Sequence, residues 1–160
     1  MKTLFVISDT HGNTAALSAL KEIMGESDYI VHLGDYDGDV AKIKAQYPEK
    51  VISVRGNCDG DTRGDGVLFC AEGLKILAVH GHRFGVKEDL GRLCRYAREK
   101  GADIVLYGHT HRAHIAEEGG VLLINPGSAA RFEAEKSYAY LVLHEKKKTA
   151  RIVKIKEKFL

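Results

Sequence analysis

The chain has 160 residues, 44% apolar and 29% charged, with 24 Lys+Arg against 22 Asp+Glu for a net charge of +2. A chain of this length buries roughly 70% of its unfolded surface, so one domain over residues 1–160 folds without staples. The near-even charge excludes a partner recruited by bulk charge, and 2 Pro against 17 Gly with no biased tract exclude a disordered or collagen-like chain.

In chain order, Leu4-Phe5-Val6-Ile7 predicts a strand that runs out into Asp9, His11 and Gly12. Four apolar residues before a charge are too few for a signal-peptide core, and no run approaches the roughly 18 of a membrane span. Ala16, Leu17, Leu20, Ile23 and Met24 share a helical face, with Asn13 as N-cap and Gly25 as the stop. Residues 29–33 form a second strand leading to Gly34-Asp35. A short helix follows through Val40, Ile43, Lys44 and Tyr47, capped by Asp39 and stopped by Pro48. The strand at 51–54 leads to Gly56-Asn57-Cys58-Asp59, and a loop from Asp59 to Gly66 carries Arg63 toward a bound phosphate or out to solvent.

Residues 68–79 read as a hairpin broken at Glu72-Gly73, ending on His80-Gly81-His82. Leu90, Leu93, Cys94 and Ala97 form a helix closed by Gly101. The strand at 104–107 leads to Gly108-His109-Thr110-His111, and a hairpin over 113–124 leads to Asn125-Pro126-Gly127-Ser128. A last hairpin spans 138–155, where 7 Lys+Arg against 2 Glu from Glu145 onward read as an edge protected by lysines rather than a nucleic-acid arm. The fold class is α/β with mixed sheets, parallel early and antiparallel late. Cys58, Cys70 and Cys94, odd in number and without a repeating spacing, point to a reducing, cytoplasmic compartment.

In an open α/β sheet, ligands bind beyond the carboxyl ends of the strands. The predicted strands deliver Asp9, His11, Asp35, Asn57, His80, His109 and His111 to that side. Four imidazoles, two carboxylates and one amide, with no thiolate, suit Mn, Fe, Zn, Ni or Co rather than a structural zinc site. Seven donors exceed what one catalytic ion takes and fit a pair of ions. The adjacent glycines (Gly12, Gly34, Gly56, Gly81 and Gly108) let the chain turn sharply near such ions. His82 either orients a ligand, contacts phosphate or makes a structural hydrogen bond. His32 and His144 read as structural and His114 as surface, while Asn125, Ser128, Arg112 and Arg131 are weaker candidates for the cleft.

Asp9-x-His11, Gly34-Asp35, Gly56-Asn57-Cys58-Asp59, His80-Gly81-His82 and Gly108-His109-Thr110-His111 together resemble the five motif blocks of the calcineurin-like metallophosphoesterases. The Cys in the third block and Asn125-Pro126-Gly127-Ser128 resemble the small YfcE-like phosphodiesterase branch, over residue 4 to about 143. The resemblance implies a four-layer α/β/β/α sandwich. It implies one metal on Asp9, His11 and His111, a second on Asn57, His80 and His109, and Asp35 as the bridge. Asp35, Asn57, Cys58 and Asp59 are the catalytic candidates. The implied reaction is hydrolysis of a small phosphate diester by a hydroxide bridging two ions, Mn²⁺ first, with Ni²⁺, Co²⁺, Fe²⁺ or Zn²⁺ as alternatives. Cys58 stands where many members carry a His that protonates the leaving group, and a thiol with pKa about 8.5 is a poor acid for an alkoxide. Prolines frequent after the fifth block and before the late Arg are absent (Arg112-Ala113, Ala130-Arg131). With no length for a specificity domain, substrate choice falls to short loops. No membrane or nucleic-acid partner is expected, and a homo-oligomer is compatible with the chain. The alternatives are a phosphomonoesterase using the same site, or a non-catalytic, protein-binding scaffold on the same fold, as in a retromer subunit.

Overall fold

The computed structural model describes residues 1–59 and 66–156. Most of the Asp59–Gly66 loop, Arg63 included, lies outside the described residues.

Strands β1 (Lys2–Ile7), β2 (Tyr29–His32) and β3 (Val51–Ser53) pair in parallel, joined by helices α1 (Thr14–Ala19), α2 (Lys21–Glu26) and α3 (Asp37–Gln46). A second sheet holds β4 (Val67–Ala71), β5 (Leu74–Ala78), β6 (Ile104–Leu106), β7 (His114–Glu118) and β8 (Val121–Asn125), with α4 (Gly91–Glu99) between β5 and β6. Strands β9 (Ser137–His144) and β10 (Lys147–Lys154) complete the first sheet, in the order β10-β9-β1-β2-β3, against β4-β5-β6-β8-β7 in the second.

The expected order of parallel early and antiparallel late is therefore too simple. The second sheet has a parallel centre, β5-β6-β8, edged by antiparallel β4 and β7. The last hairpin returns to the first sheet, where β9 lies antiparallel to β1. Ala139, Leu141 and Leu143 are fully buried, so β9 sits inside the sheet and leaves the polar β10 at the edge.

Alternation along the strands builds four layers. Leu4 and Val6 of β1 face the second sheet and pack with Ile76, Ile104, Leu106 and Ile124. Phe5 and Ile7 face the other way, onto Leu17, Met24 and Ile43 of the helices. On the far side Leu77, Val105 and Leu123 meet Leu93 and Ala97 of α4. Each such fully buried Leu or Ile contributes about 1.5–3 kcal/mol.

Local details differ at the helix ends. Asn13 caps α1 as expected, its side chain accepting the Ala16 N–H. The expected single helix breaks at Leu20, and Gly25 lies inside α2 rather than beyond it. A Cβ on Gly25 would stand 3.3 Å from Tyr47 Oη, so this glycine answers packing and not chain reversal. The C-terminus is closed instead by Ser27, whose hydroxyl donates to the Ile23 carbonyl at 2.6 Å. Asp39 does not cap α3. The cap residue is Tyr36, in the left-handed region, and Asp39 accepts the Gly12 N–H at 2.9 Å, tying α3 to the loop after β1.

His32 is a core residue, 0% exposed, whereas His144 at the end of β9 is exposed. Nδ1 of His32 accepts the Gly34 N–H at 3.2 Å, so Nε2 carries the proton and donates to Thr10 Oγ1 at 3.0 Å. Burial, against the nearby Asp39, Asp9 and Asp59 carboxylates, pushes its pKa from 6.5 down to about 4. An unfolded His32 takes up a proton across that window while the folded one does not, so stability falls as pH drops from 6.5 toward about 4, by up to about 3 kcal/mol. His32→Asn keeps an acceptor for Gly34. Urea unfolding is expected to show a lower stability at neutral pH and a distinctly smaller loss on acidification than in the parent chain. An unchanged acid loss would remove His32 from the account.

Candidate metal centre

The parallel strands of both sheets end at one cleft. Loops after β1, β2 and β3 carry Asp9 and His11, Asp35, and Asn57, while those after β5 and β6 carry His80, His109 and His111. Nine described non-glycine residues have positive φ, and six of them are Asp9, His11, Asp35, Tyr36, His109 and His111. Such conformations cost of order 1 kcal/mol each and persist only where surrounding contacts enforce them.

Those contacts are present. Asp9 is fully buried: its Oδ2 accepts the Ser8 hydroxyl and the His109 N–H, the latter at 3.2 Å. Its backbone carbonyl accepts the Ser128 hydroxyl at 3.0 Å. Asp35 Oδ1 accepts the Cys58 N–H at 3.0 Å, leaving Oδ2 for the cleft. Asn125 donates to the Gly108 carbonyl and to Thr110 Oγ1, bracing the loop that bears His109 and His111. Asn125 and Ser128 thus stand beside the cleft as supports. His80 Nδ1 donates to the Leu33 carbonyl at 2.7 Å, which turns Nε2 inward. Glu133, which no sequence pattern marks, stands 2.7 Å from His111 Nδ1 and does the same for that ring.

The inward atoms form two groups sharing one oxygen. Asp9, His11, Asp35 and His111 each offer a donor atom within 4.8 Å of the others. His111 Nε2 is 3.1 Å from Asp9 Oδ1, and His11 Nε2 is 3.5 Å from Asp35 Oδ2. On the other side His80 Nε2 lies 3.0 Å from Asn57 Oδ1, 3.2 Å from His109 Nδ1 and 3.5 Å from the same Asp35 Oδ2. Two donors at about 2.1 Å from one ion, at right or tetrahedral angles, stand about 3.0–3.4 Å apart, so the spacing suits a cation on either side of Asp35. His11 Nε2 is buried without a hydrogen bond, an arrangement that burial penalises and a cation would relieve.

The electrostatics differ from donor to donor. Burial disfavours charge on Asp9, yet the facing His111 and His80 rings and the Ser8 hydroxyl hold its carboxyl at about 2. Burial and the neighbouring His80 and Lys87 push His109 down to about 4, keeping it a neutral donor at pH 7. Between the Asp9 and Glu133 carboxylates, His111 is pushed up to about 9, so it carries a proton at pH 7 that a cation beside Asp9 would displace.

The remaining candidates divide. His82 packs its ring 5.3 Å from His80 and 6.1 Å from His109, beside the second group. Cys58 presents an exposed thiol that accepts from Asn57 Nδ2 at 3.7 Å, and its backbone N–H donates to Asp35 Oδ1. The Asp59 carboxylate accepts the N–H groups of Asp35, Tyr36 and Gly56 at 2.8, 2.6 and 2.8 Å. Arg112 and Arg131 are exposed, and His114 is exposed on β7. Among the described residues no helix is long and apolar enough to cross a membrane.

Comparison with known proteins identifies the family. Residues 1–148 match the calcineurin-like phosphoesterase superfamily domain. The chain is 37% identical over 155 residues to the probable metallophosphoesterase YsnB of Bacillus subtilis, covering 92% of this chain and 88% of YsnB. It is 30% identical over 157 residues to the phosphodiesterase YfcE of Escherichia coli K12, covering 81% and 80%. A conserved Streptococcus pneumoniae protein of solved structure, a predicted phosphoesterase, superposes with a TM-score of 0.79 at 27% identity, over 96% of this chain and 89% of its own. The chain therefore belongs to the calcineurin-like phosphoesterase superfamily, as a metal-dependent hydrolase of phosphoester bonds.

Proposed function

We propose that this single-domain chain is a phosphodiesterase acting on small phosphate diesters with two divalent ions, Mn²⁺ first among the candidates. The observation that carries the reading is the sharing of Asp35 Oδ2 between His11 on one side and His80 on the other. Asp9, His11 and His111 would hold one ion, Asn57, His80 and His109 the other, and Asp35 both. Bound there, the pair would lower the pKa of a water and spread the charge of a phosphoryl group.

The chain's own residues supply orientation. The Cys58 N–H and the Asp59 carboxylate fix the loop pair that carries Asp35 and Asn57. Glu133 and the Leu33 carbonyl fix the His111 and His80 rings, and second contacts of this kind matter to affinity by about 10–100-fold. In this assignment Asp59 is a positioning residue. The three free cysteines fit a reducing, cytoplasmic setting.

Desolvation and the Asp35, Asp59 and Asp9 carboxylates push the Cys58 thiol above its usual range, which weakens it further as a proton donor to a leaving alkoxide. Aryl diesters, whose leaving groups need no proton, are the expected preference. Cys58→Ala retains the backbone N–H to Asp35 and is expected to keep at least about half of the aryl diesterase rate. Loss of most of that rate would give the thiol a direct role.

The test is hydrolysis of bis-p-nitrophenyl phosphate by chelator-stripped protein, with Mn²⁺, Ni²⁺, Co²⁺, Fe²⁺ or Zn²⁺ restored, beside the monoester p-nitrophenyl phosphate. Activity lost on stripping, regained with Mn²⁺ and higher on the diester supports the reading. Preference for the monoester turns it to a phosphomonoesterase, and silence with every metal leaves the protein-binding scaffold.

A further inference from the structure

Six large hydrophobic residues stand exposed among the described residues, and the two aromatic ones, Tyr36 and Phe132, flank the same imidazole. Phe132 is 69% exposed, with its ring 5.6 Å from His11 and nearly parallel to His111 at 5.9 Å. Tyr36 is 49% exposed, 6.0 Å from His11. A scattered exposed apolar side chain needs no explanation, but two rings converging on the rim of a metal-type cleft do.

Neither ring is there by default. Tyr36 sits at φ 85°, a rare conformation for a bulky residue, held by its N–H to Asp59 at 2.6 Å. Phe132 is adjacent in sequence to Glu133, whose carboxylate is anchored on His111 Nδ1. The same two contacts that orient the donors therefore also set the rings at the cleft mouth. His11 itself faces Asp35 at 3.5 Å, so a group resting on the rings lies a short linker away from a phosphate held at the donors.

We propose that Tyr36 and Phe132 are specificity residues that stack on a flat aromatic substituent of the substrate, making the favoured phosphodiester one that carries a nucleobase or a comparable aryl group. The proposal rests on the phosphodiesterase reading. Aromatic side chains take any flat ring on their π-faces without reading its hydrogen-bonding edge, and one stacked base strengthens binding by about tenfold or more. The chemistry shared by a nucleobase and a simple aryl ring is this stacking.

Competitive inhibition separates the possibilities. AMP, phenyl phosphate and ribose 5-phosphate are compared as inhibitors of bis-p-nitrophenyl phosphate hydrolysis by the Mn²⁺-loaded protein, with binding of AMP followed in parallel by calorimetry. AMP and phenyl phosphate are expected to bind about tenfold more tightly than ribose 5-phosphate. AMP ahead of phenyl phosphate assigns the rim to a nucleobase, and the reverse order to a simple aryl group. In Phe132→Leu the advantage is expected to shrink toward unity while the ribose 5-phosphate constant stays within about twofold, and Phe132→Trp restores it. Tyr36→Asn, which tolerates the left-handed backbone, is expected to act in the same direction. Equal inhibition by all three ligands in the parent chain, or equal weakening of all three in Phe132→Leu, overturns the aromatic rim and leaves the phosphodiesterase intact. Absence of any hydrolysis by the parent chain overturns the phosphodiesterase reading, and the rim falls with it.

Discussion

Asp35→Asn is expected to reduce hydrolysis of bis-p-nitrophenyl phosphate by at least about 10³-fold, equivalent to about 4 kcal/mol in the barrier, with the fold intact. The substitution preserves shape, so its effect is one of charge and donor type. The Cys58 N–H, 3.0 Å from Asp35 Oδ1, demands an oxygen acceptor. An asparagine that satisfies it must direct its NH₂ into the cleft, toward His11 Nε2 and His80 Nε2, where Oδ2 now stands 3.5 Å from each. The shared donor then becomes a group that cannot ligate. Bound Mn²⁺, counted after desalting, should fall from two ions toward one or none. Without metal, the variant should unfold at or slightly above the parent's temperature, since one of two neighbouring buried carboxylates has lost its charge. A variant that keeps two ions and more than about a tenth of the rate would mean that Asp35 is no bridge.

Much of the cleft was legible because each donor follows a short apolar run, and a strand end is a place that sequence marks clearly. Asp9, His11, Asp35, Asn57, His80, His109 and His111 could be read off in that way, and the structure brings their polar atoms to one place. What fixes those atoms was not legible. Glu133 lies 22 residues from His111, and Asp59 sits 24 from Asp35, so no periodicity links either pair. Asp39 looked like a helix cap because acidic residues favour that position, yet its carboxylate serves the loop after β1. The four layers needed the resemblance, since alternation in a run such as Leu4-Phe5-Val6-Ile7 is invisible when both faces are buried. The return of β9 to β1 is likewise a long-range pairing that only burial on both faces of β9 decides.

Gly56→Ala is expected to damage catalysis nearly as much as Asp35→Asn, by about 10²–10³-fold, through space alone. Gly56 has no positive φ, so alanine is compatible with its backbone. A Cβ there would stand 2.1 Å from Asp35 Oδ1, 2.5 Å from Asp35 N and 2.8 Å from Asp35 Cγ. Ordinary contact begins near 3.4 Å, so the carboxylate must retreat by about 1 Å or the Gly56–Asp59 turn must open, and either breaks the shared position of Oδ2. Gly108 is built alike, its Cβ falling 2.2 Å from Ser8 Oγ and 2.8 Å from Asp9 Oδ2. Gly38 is the control: it lies in α3 with nothing within 4 Å of an added Cβ, and Gly38→Ala should stabilise the chain by about 0.5–1 kcal/mol and leave the rate unchanged. The contrast isolates close approach from chain flexibility, because all three substitutions add the same methyl group. If Gly56→Ala kept full activity and two bound ions, Asp35 would have room to move without consequence, and the narrow placement of its carboxylate would not be what the cleft depends on.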